Sequence, residues 1–147
     1  MTSAQVNTEL FHTCRTGDIE TVRVLLERGA DIEARDSDNW TPLHVACAWG
    51  HLAVTRLLLD AGADMNVRDN DGHAPLNVAC IFHNARIIRL LLERGVDVNI
   101  RDNWGKSPLD RAMDLPPTNP AREEIIDLFR EFHPELVIET YCRGPRL

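Results

Sequence analysis

The chain lacks any apolar run approaching the roughly 20 residues that a membrane-spanning helix needs. Its opening, Met1-Thr2-Ser3-Ala4-Gln5, has neither the basic start nor the apolar block of a signal peptide. A membrane is therefore not an expected partner, and the expected address is the cytoplasm or the nucleus. Basic charge is also in short supply: 16 Lys and Arg stand against 23 Asp and Glu, for a formal net charge of −7. Nucleic-acid phosphates demand a basic stripe, so nucleic acid is excluded as the expected partner. No two cysteines are separated by two residues, which removes the close ligand pair of a zinc site. No glycine loop that would cradle a phosphate is present, and no paired-carboxylate arrangement. No metal and no cofactor is expected.

What the chain does have is an internal repeat. Residues 38–70 laid over residues 71–103 without a gap agree at 16 of 33 positions. The matches form a skeleton: Pro42-Leu43 with Pro75-Leu76, Val45-Ala46-Cys47 with Val78-Ala79-Cys80, Arg56-Leu57-Leu58-Leu59 with Arg89-Leu90-Leu91-Leu92, and Arg68-Asp69-Asn70 with Arg101-Asp102-Asn103. The same period runs backward through Leu10, Cys14, Gly17, Leu25-Leu26 and Gly29-Ala30-Asp31, and forward through Gly105, Ser107-Pro108-Leu109 and Ala112. The next leucine pair returns five residues late as Leu128-Phe129, and Leu115 to Pro120 is the natural place for an insertion because proline cannot continue a helix. This predicts four units, at about 5–37, 38–70, 71–103 and 104–141, followed by a flexible tail over 142–147. A fixed period in this range means one supersecondary unit stacked on its own copies, so a binding surface is expected before an active site.

Local chemistry gives each unit a helix, a turn and a helix. Thr41 is a good N-cap, and Pro42 at the first helical position gives up an amide hydrogen that has no partner there. Gly50 closes that helix. Leu52, Val54, Leu57, Leu58 and Leu59 give a second helix a wide apolar stripe, ended at Gly62 where a left-handed residue is easily accommodated. Segments 31–38, 63–71 and 96–104 are turn-rich connections.

Thr41-Pro42-Leu43-His44-Val45-Ala46, then Gly50-His51, Leu57-Leu58, Gly62-Ala63-Asp64 and Asn66, resembles the ankyrin repeat, over roughly residues 5–138. The tetratricopeptide repeat, with its period of about 34, lacks the proline-led opening and the closing glycine turn. The resemblance implies an all-α solenoid of four stacked helix-turn-helix units with hairpin-like loops. It also implies a protein–protein interaction module, with His44 bonding turn backbone between neighbours. Asn77 and Asp110 replace His44 in later units, and Ala74 in place of Thr41 forfeits a cap worth about 1 kcal/mol.

Cys14, Cys47 and Cys80 are spaced by one period and so occupy equivalent packing positions. Packed helices lie roughly 8–10 Å apart, beyond the approximately 7 Å over which a disulfide can join two alpha carbons. Free, buried thiols are expected. His44 with Cys47, and Cys80 with His83, have the spacing of a cysteine–histidine dyad. Both cysteines sit at a packing position, however, and His83 belongs to a turn, so no enzyme is expected.

Framework positions build a stack, and variable ones meet a partner. All three tryptophans are at variable positions, and in the family such loop tips and first-helix positions line the concave face. The expected contact stripe is Trp40, Trp49, His73, Ile81, Phe82 and Trp104, with Asp38 and Asp71 contributed by the loops. The alternative for Trp49, Ile81 and Phe82 is packing over neighbouring helices. Arg35, Arg68 and Arg101 partly answer the loop aspartates, several of which should hold turns through local backbone bonds. The expected partner is a protein with an apolar anchor and some basic residues. Leu136 and Ile138 echo Val98 and Ile100, which predicts the start of a fifth loop. Segment 134–141 then caps the last unit, or Leu136, Val137, Ile138 and Tyr141 meet another chain or form a homodimer, or the array continues in a longer protein. Two functions follow: a non-catalytic binding module, or a regulatory or targeting segment of a larger enzyme or signalling assembly.

Overall fold

Thr41 and Pro42 begin a helix for the reason their chemistry dictates. The Thr41 hydroxyl accepts the His44 N–H while His44 Nδ1 accepts the Thr41 N–H at 3.1 Å, satisfying two donors that a helix start leaves without partners. Ser107 and Asp110 form the same reciprocal pair at the start of the fourth unit. Ala74 has no cap to offer, and only half of the device survives: Asn77 Oδ1 accepts the Ala74 N–H at 3.1 Å. Gly50 ends its helix in the left-handed region, and His83 does the corresponding job at φ 59°, a conformation that few residues other than glycine adopt.

The computed structural model describes residues 2–142, with side chains through residue 138. Helices α1 (Ser3–Thr16) and α2 (Ile19–Glu27), α3 (Pro42–Trp49) and α4 (Leu52–Asp60), α5 (Pro75–Ile81) and α6 (Ala85–Glu93), and α7 (Pro108–Met113) and α8 (Pro120–Phe132) pair as four helical hairpins. Helix α9 (Pro134–Cys142) follows. The first helices pack in order α1, α3, α5, α7, and the second helices form a parallel row α2, α4, α6, α8. This is an all-α repeat solenoid, with no strand among the described residues. Residues 114–119 separate α7 from α8, whose start is capped by Asn119 with Pro120 at its first position. Among the described residues no helix is long and apolar enough to cross a membrane.

The core is a ribbon shared by neighbouring units. Leu58 and Leu91 are fully buried, as are Cys14, Cys47 and Cys80, which are free thiols. Burial pushes the Cys14 and Cys47 thiols up to about 12 and raises Cys80 as well, so none is a ready nucleophile. Side chains also stitch adjacent units through their backbones. His44 Nε2 meets the His73 carbonyl at 2.9 Å, and Asn77 donates to the Ile100 carbonyl at 3.0 Å. His51 reaches the Arg15 carbonyl at 2.7 Å. Arg35 donates to the Arg68 carbonyl and Arg68 to the Arg101 carbonyl, at 2.9 and 2.6 Å. The loop arginines Arg35 and Arg68 therefore serve backbone carbonyls, instead of answering the loop aspartates as their sequence neighbourhood suggests.

At the chain's end the segment after α8 covers the last unit, as the capping alternative has it, but as a helix and not as a fifth loop. No fifth loop forms around Leu136 and Ile138; Pro134 opens a helix instead, and α9 lies against α8 with Val137 in the core and Leu136 half-buried. Proline suits a first helical turn, and the apolar face of α8 offers Val137 burial that a projecting loop would not. Val137 is therefore unavailable as a homodimer contact, whereas Ile138 is 63% exposed. The Tyr141 side chain lies outside the described residues. The expected flexible tail begins inside α9 at Cys142, and its remainder, 143–147, also lies outside them.

Candidate functional site

The loops between units are built around one aspartate each. Asp36 Oδ1 accepts the N–H groups of Asp38 and Trp40, both at 2.9 Å. Asp69 does the same for Asp71 and His73 at 2.9 and 2.8 Å, and Asp102 for Trp104 and Lys106 at 3.0 Å each. Each loop is also closed by a backbone bond across its base, from Asp36 to Trp40, Asp69 to His73 and Asp102 to Lys106. The second carboxylate oxygen reaches back to the preceding loop: Trp40 Nε1 donates to Asp69 Oδ2 at 2.8 Å, and His73 Nε2 lies 3.1 Å from Asp102 Oδ2. Arg111 completes the chain with Nε and Nη2 on Asp102 Oδ2 at 2.8 and 2.6 Å. Burial alone would raise the Asp102 carboxyl, but the Lys106 and Trp104 N–H groups and the Arg111 guanidinium outweigh it and hold it below the ordinary range.

This frame presents the aromatic residues unequally. Trp104 is 64% exposed, Trp49 58% and Phe82 51%, which is unusual for such large apolar groups on a surface that only water meets. Trp104 stacks on His73 with ring centroids 6.0 Å apart, and the Arg111 guanidinium lies 5.5 Å from its ring centre. His73, Ile81 and Trp104 come together, with Lys106 and Arg111, around a shallow pocket of about 450 Å³. Phe82 follows Ile81 directly at the end of α5, and Trp49 is in the equivalent place on α3 beneath Arg15, 5.8 Å from its ring centre. Trp40 behaves differently. It is half-buried, stacked on His44 at 6.1 Å, with its indole N–H committed to Asp69, so part of its role is structural. Asp38 and Asp71 are exposed at the loop tips, and among the described residues nothing donates to either carboxylate.

Two family models of consecutive repeats match, one described as ankyrin repeats in three copies over residues 2–69, the other as ankyrin repeats in many copies over residues 58–112. The chain belongs to the ankyrin repeat family. Ankyrin repeats are protein-interaction modules, which fits an exposed aromatic surface on a stitched frame. The chain is also 46% identical over 37 residues to protein phosphatase 1 regulatory subunit 27 of Mus musculus and of Homo sapiens. That match covers 25% of this chain and 24% of each relative, so the chain spans about a quarter of the length of the curated relatives it matches.

Asp69 and Asp102 are among the loop aspartates expected to hold turns, and they do. Sequence spacing gave no notice of Lys106 or Arg111 as parts of this ankyrin surface, nor of the bonds the aspartates make between loops. The signal was present in the four-residue interval from Asp36 to Trp40, repeated from Asp69 to His73 and from Asp102 to Lys106. Ligand-type atoms of Asp69, Asp71 and His73 lie within 4.8 Å of one another. Asp69 uses both oxygens on the loops, however, and His73 faces Asp102, so two of the three are committed to structure and Asp71 alone of them keeps a bare carboxylate. The two cysteine–histidine spacings form no dyad. Cys47 is buried with its thiol raised while both His44 nitrogens serve backbone groups, and His83 is exposed in a turn beyond the buried Cys80.

Proposed function

We propose that this chain is a non-catalytic protein-binding module whose ankyrin loop tips and first-helix ends, the family's concave face, hold a segment of a partner protein. The observation that carries the reading is the exposure of Trp49, Phe82 and Trp104 on a frame whose loops are fixed to one another. Aromatic residues are enriched where interfaces draw most of their binding energy, and a frame that needs no reordering loses less entropy on binding. His73 and Ile81 belong to the same surface through the pocket they share with Trp104. Unpaired buried thiols suit a reducing compartment, the cytoplasm or the nucleus.

A second reading rests on the regulatory role of the relatives that the chain resembles. Similarity to a phosphatase regulatory subunit supports a regulatory or targeting segment within a larger enzyme assembly. For a homodimer through this end, the described residues offer the exposed Ile138 and not the buried Val137.

Affinity capture with the wild-type chain and with the Trp49→Ala/Phe82→Ala variant, read by quantitative mass spectrometry, tests the proposal. The proteins enriched by the wild type should be lost from the variant. Retention of the same set would move the interface elsewhere. Light scattering across a concentration series should give a constant monomer mass; a mass that rises with concentration and falls back on Ile138→Asp would favour the dimer.

A further inference from the structure

Residues at one repeat position form a row, and the row at the loop tips reads Asp38, Asp71, Trp104. Neighbouring loops are tied side by side along it, Asn70 N–H to the Asp38 carbonyl at 3.1 Å and Asn103 N–H to the Asp71 carbonyl at 2.9 Å. The pocket lined by Trp104 and Ile81 joins this row to the ends of the first helices, so tips and helix ends form one continuous surface.

Charge along the row is one-sided. Arg35 and Arg68 are committed to carbonyls, Arg101 to the Gly105 carbonyl and Asp110, Lys106 to Asp114 at 2.5 Å, and Arg111 to Asp102. Asp38 and Asp71 keep bare carboxylates. Arg15, above Trp49, is a cation beside the stripe that no carboxylate among the described residues answers, and it lies at the far end from the pocket. An incoming segment thus meets an apolar pocket at one end and two uncompensated negative charges beyond it, in a chain of net charge −7.

Spacing adds a register. Packed repeats advance by roughly 8–10 Å. An extended β-strand turns alternate side chains to opposite faces and repeats at about 6.6 Å, which does not match. A polyproline-II segment has three residues per turn and rises about 3.1 Å per residue, so its residues i, i+3 and i+6 share one face at about 9 Å intervals. That does match.

We infer that the partner segment is an extended, polyproline-II-like stretch carrying an apolar or aromatic side chain for the pocket between Ile81 and Trp104, with basic side chains three and six residues away facing Asp71 and Asp38. The inference rests on the proposed reading of this surface as the interface, and adds the chemistry and register of what it holds.

Selection of peptides from a random twelve-residue phage-displayed library on the wild-type chain tests it. Enriched peptides are then titrated by fluorescence anisotropy against the wild type, Asp38→Asn/Asp71→Asn, Trp104→Ala and Trp49→Ala/Phe82→Ala. Enriched sequences should carry Arg or Lys at the third and sixth positions from an apolar residue. They should lose about fivefold in affinity on Asp38→Asn/Asp71→Asn, lose more on Trp104→Ala, and weaken with added salt. Peptides that depend on the aromatic residues but show no basic excess, or ignore the aspartate variant, overturn this inference and leave the interface standing. Peptides indifferent to all three variants, or a selection that enriches nothing, overturn both.

Discussion

Trp40 donates its indole N–H to Asp69 across the gap between two loops, at 2.8 Å, and His73 stands to Asp102 in the same relation one unit later. One aspartate oxygen holds its own turn and the other holds the loop before it. The loops are therefore members of one hydrogen-bonded edge, and the tips they present arrive at a partner already ordered.

That arrangement gives Trp40 a cost of removal that its neighbours on the surface do not share. Trp40→Phe keeps an aromatic group but replaces the indole by a smaller ring and deletes the N–H, leaving one oxygen of the buried Asp69 without a donor. A loss of about 1–3 kcal/mol in urea denaturation is expected. Trp49→Phe, at a position 58% exposed, should change stability by less than about 0.5 kcal/mol.

The leucines of the second helices carry the stack itself. Leu58 and Leu91 are fully buried at equivalent positions on α4 and α6. Replacing either by alanine should cost about 2–5 kcal/mol. A loss under about 1 kcal/mol by chemical denaturation would contradict the shared core.

His44 predicts a pH dependence. The Thr41 N–H can only donate, so Nδ1 accepts it and Nε2 carries the proton given to the His73 carbonyl. Burial holds the folded-state pKa of His44 below its ordinary 6.5, against the upward pull of the His73 carbonyl and Asp69. The unfolded chain therefore takes up this proton first as the pH falls. Stability tied to His44 is complete above about 6.5 and declines as the pH drops from there toward the folded-state value. Asn77 makes both bonds of this role without titrating, so His44→Asn should flatten the stability profile below pH 6.5 relative to the wild type.

Gly72 should be less replaceable than Gly62, though both have positive φ. A Cβ on Gly72 would lie 2.6 Å from Asn103 Oδ1 and 3.0 Å from the Asn103 backbone nitrogen, the one bonded to Asp71 of the neighbouring loop. A Cβ on Gly62 meets nothing within 4 Å. Gly62→Ala should cost about 1–2 kcal/mol for its left-handed backbone alone. Gly72→Ala should lower the melting temperature further by displacing the loop edge.

The repeat skeleton was readable because its signals are local. Thr41-Pro42, Gly50 and the Leu57-Leu58 stripe each act within a few residues, and the late return of Leu128-Phe129 exposed the longer connection before α8. At the end of the chain Leu136 and Ile138 suggest a loop because they match loop positions in apolar character, while Pro134 and the exposed face of α8 decide for a helix; the segment still covers the last unit as a cap. Trp40 looked like a free surface aromatic because its partner lies 29 residues away and is visible only once the loops stand side by side. Lys106 and Arg111 carry no mark in sequence that separates them from ordinary surface charges; folding brings Arg111 onto the Trp104 ring and sets both around the pocket.

The most direct test of the account pairs two readings on one preparation of Trp49→Ala/Phe82→Ala: its thermal unfolding by circular dichroism, and its affinity for a captured partner by titration. The account predicts a melting temperature close to that of the wild type together with a loss of affinity of at least about tenfold, or 1.4 kcal/mol. A variant that melts far earlier, or one that binds as the wild type does, would contradict it.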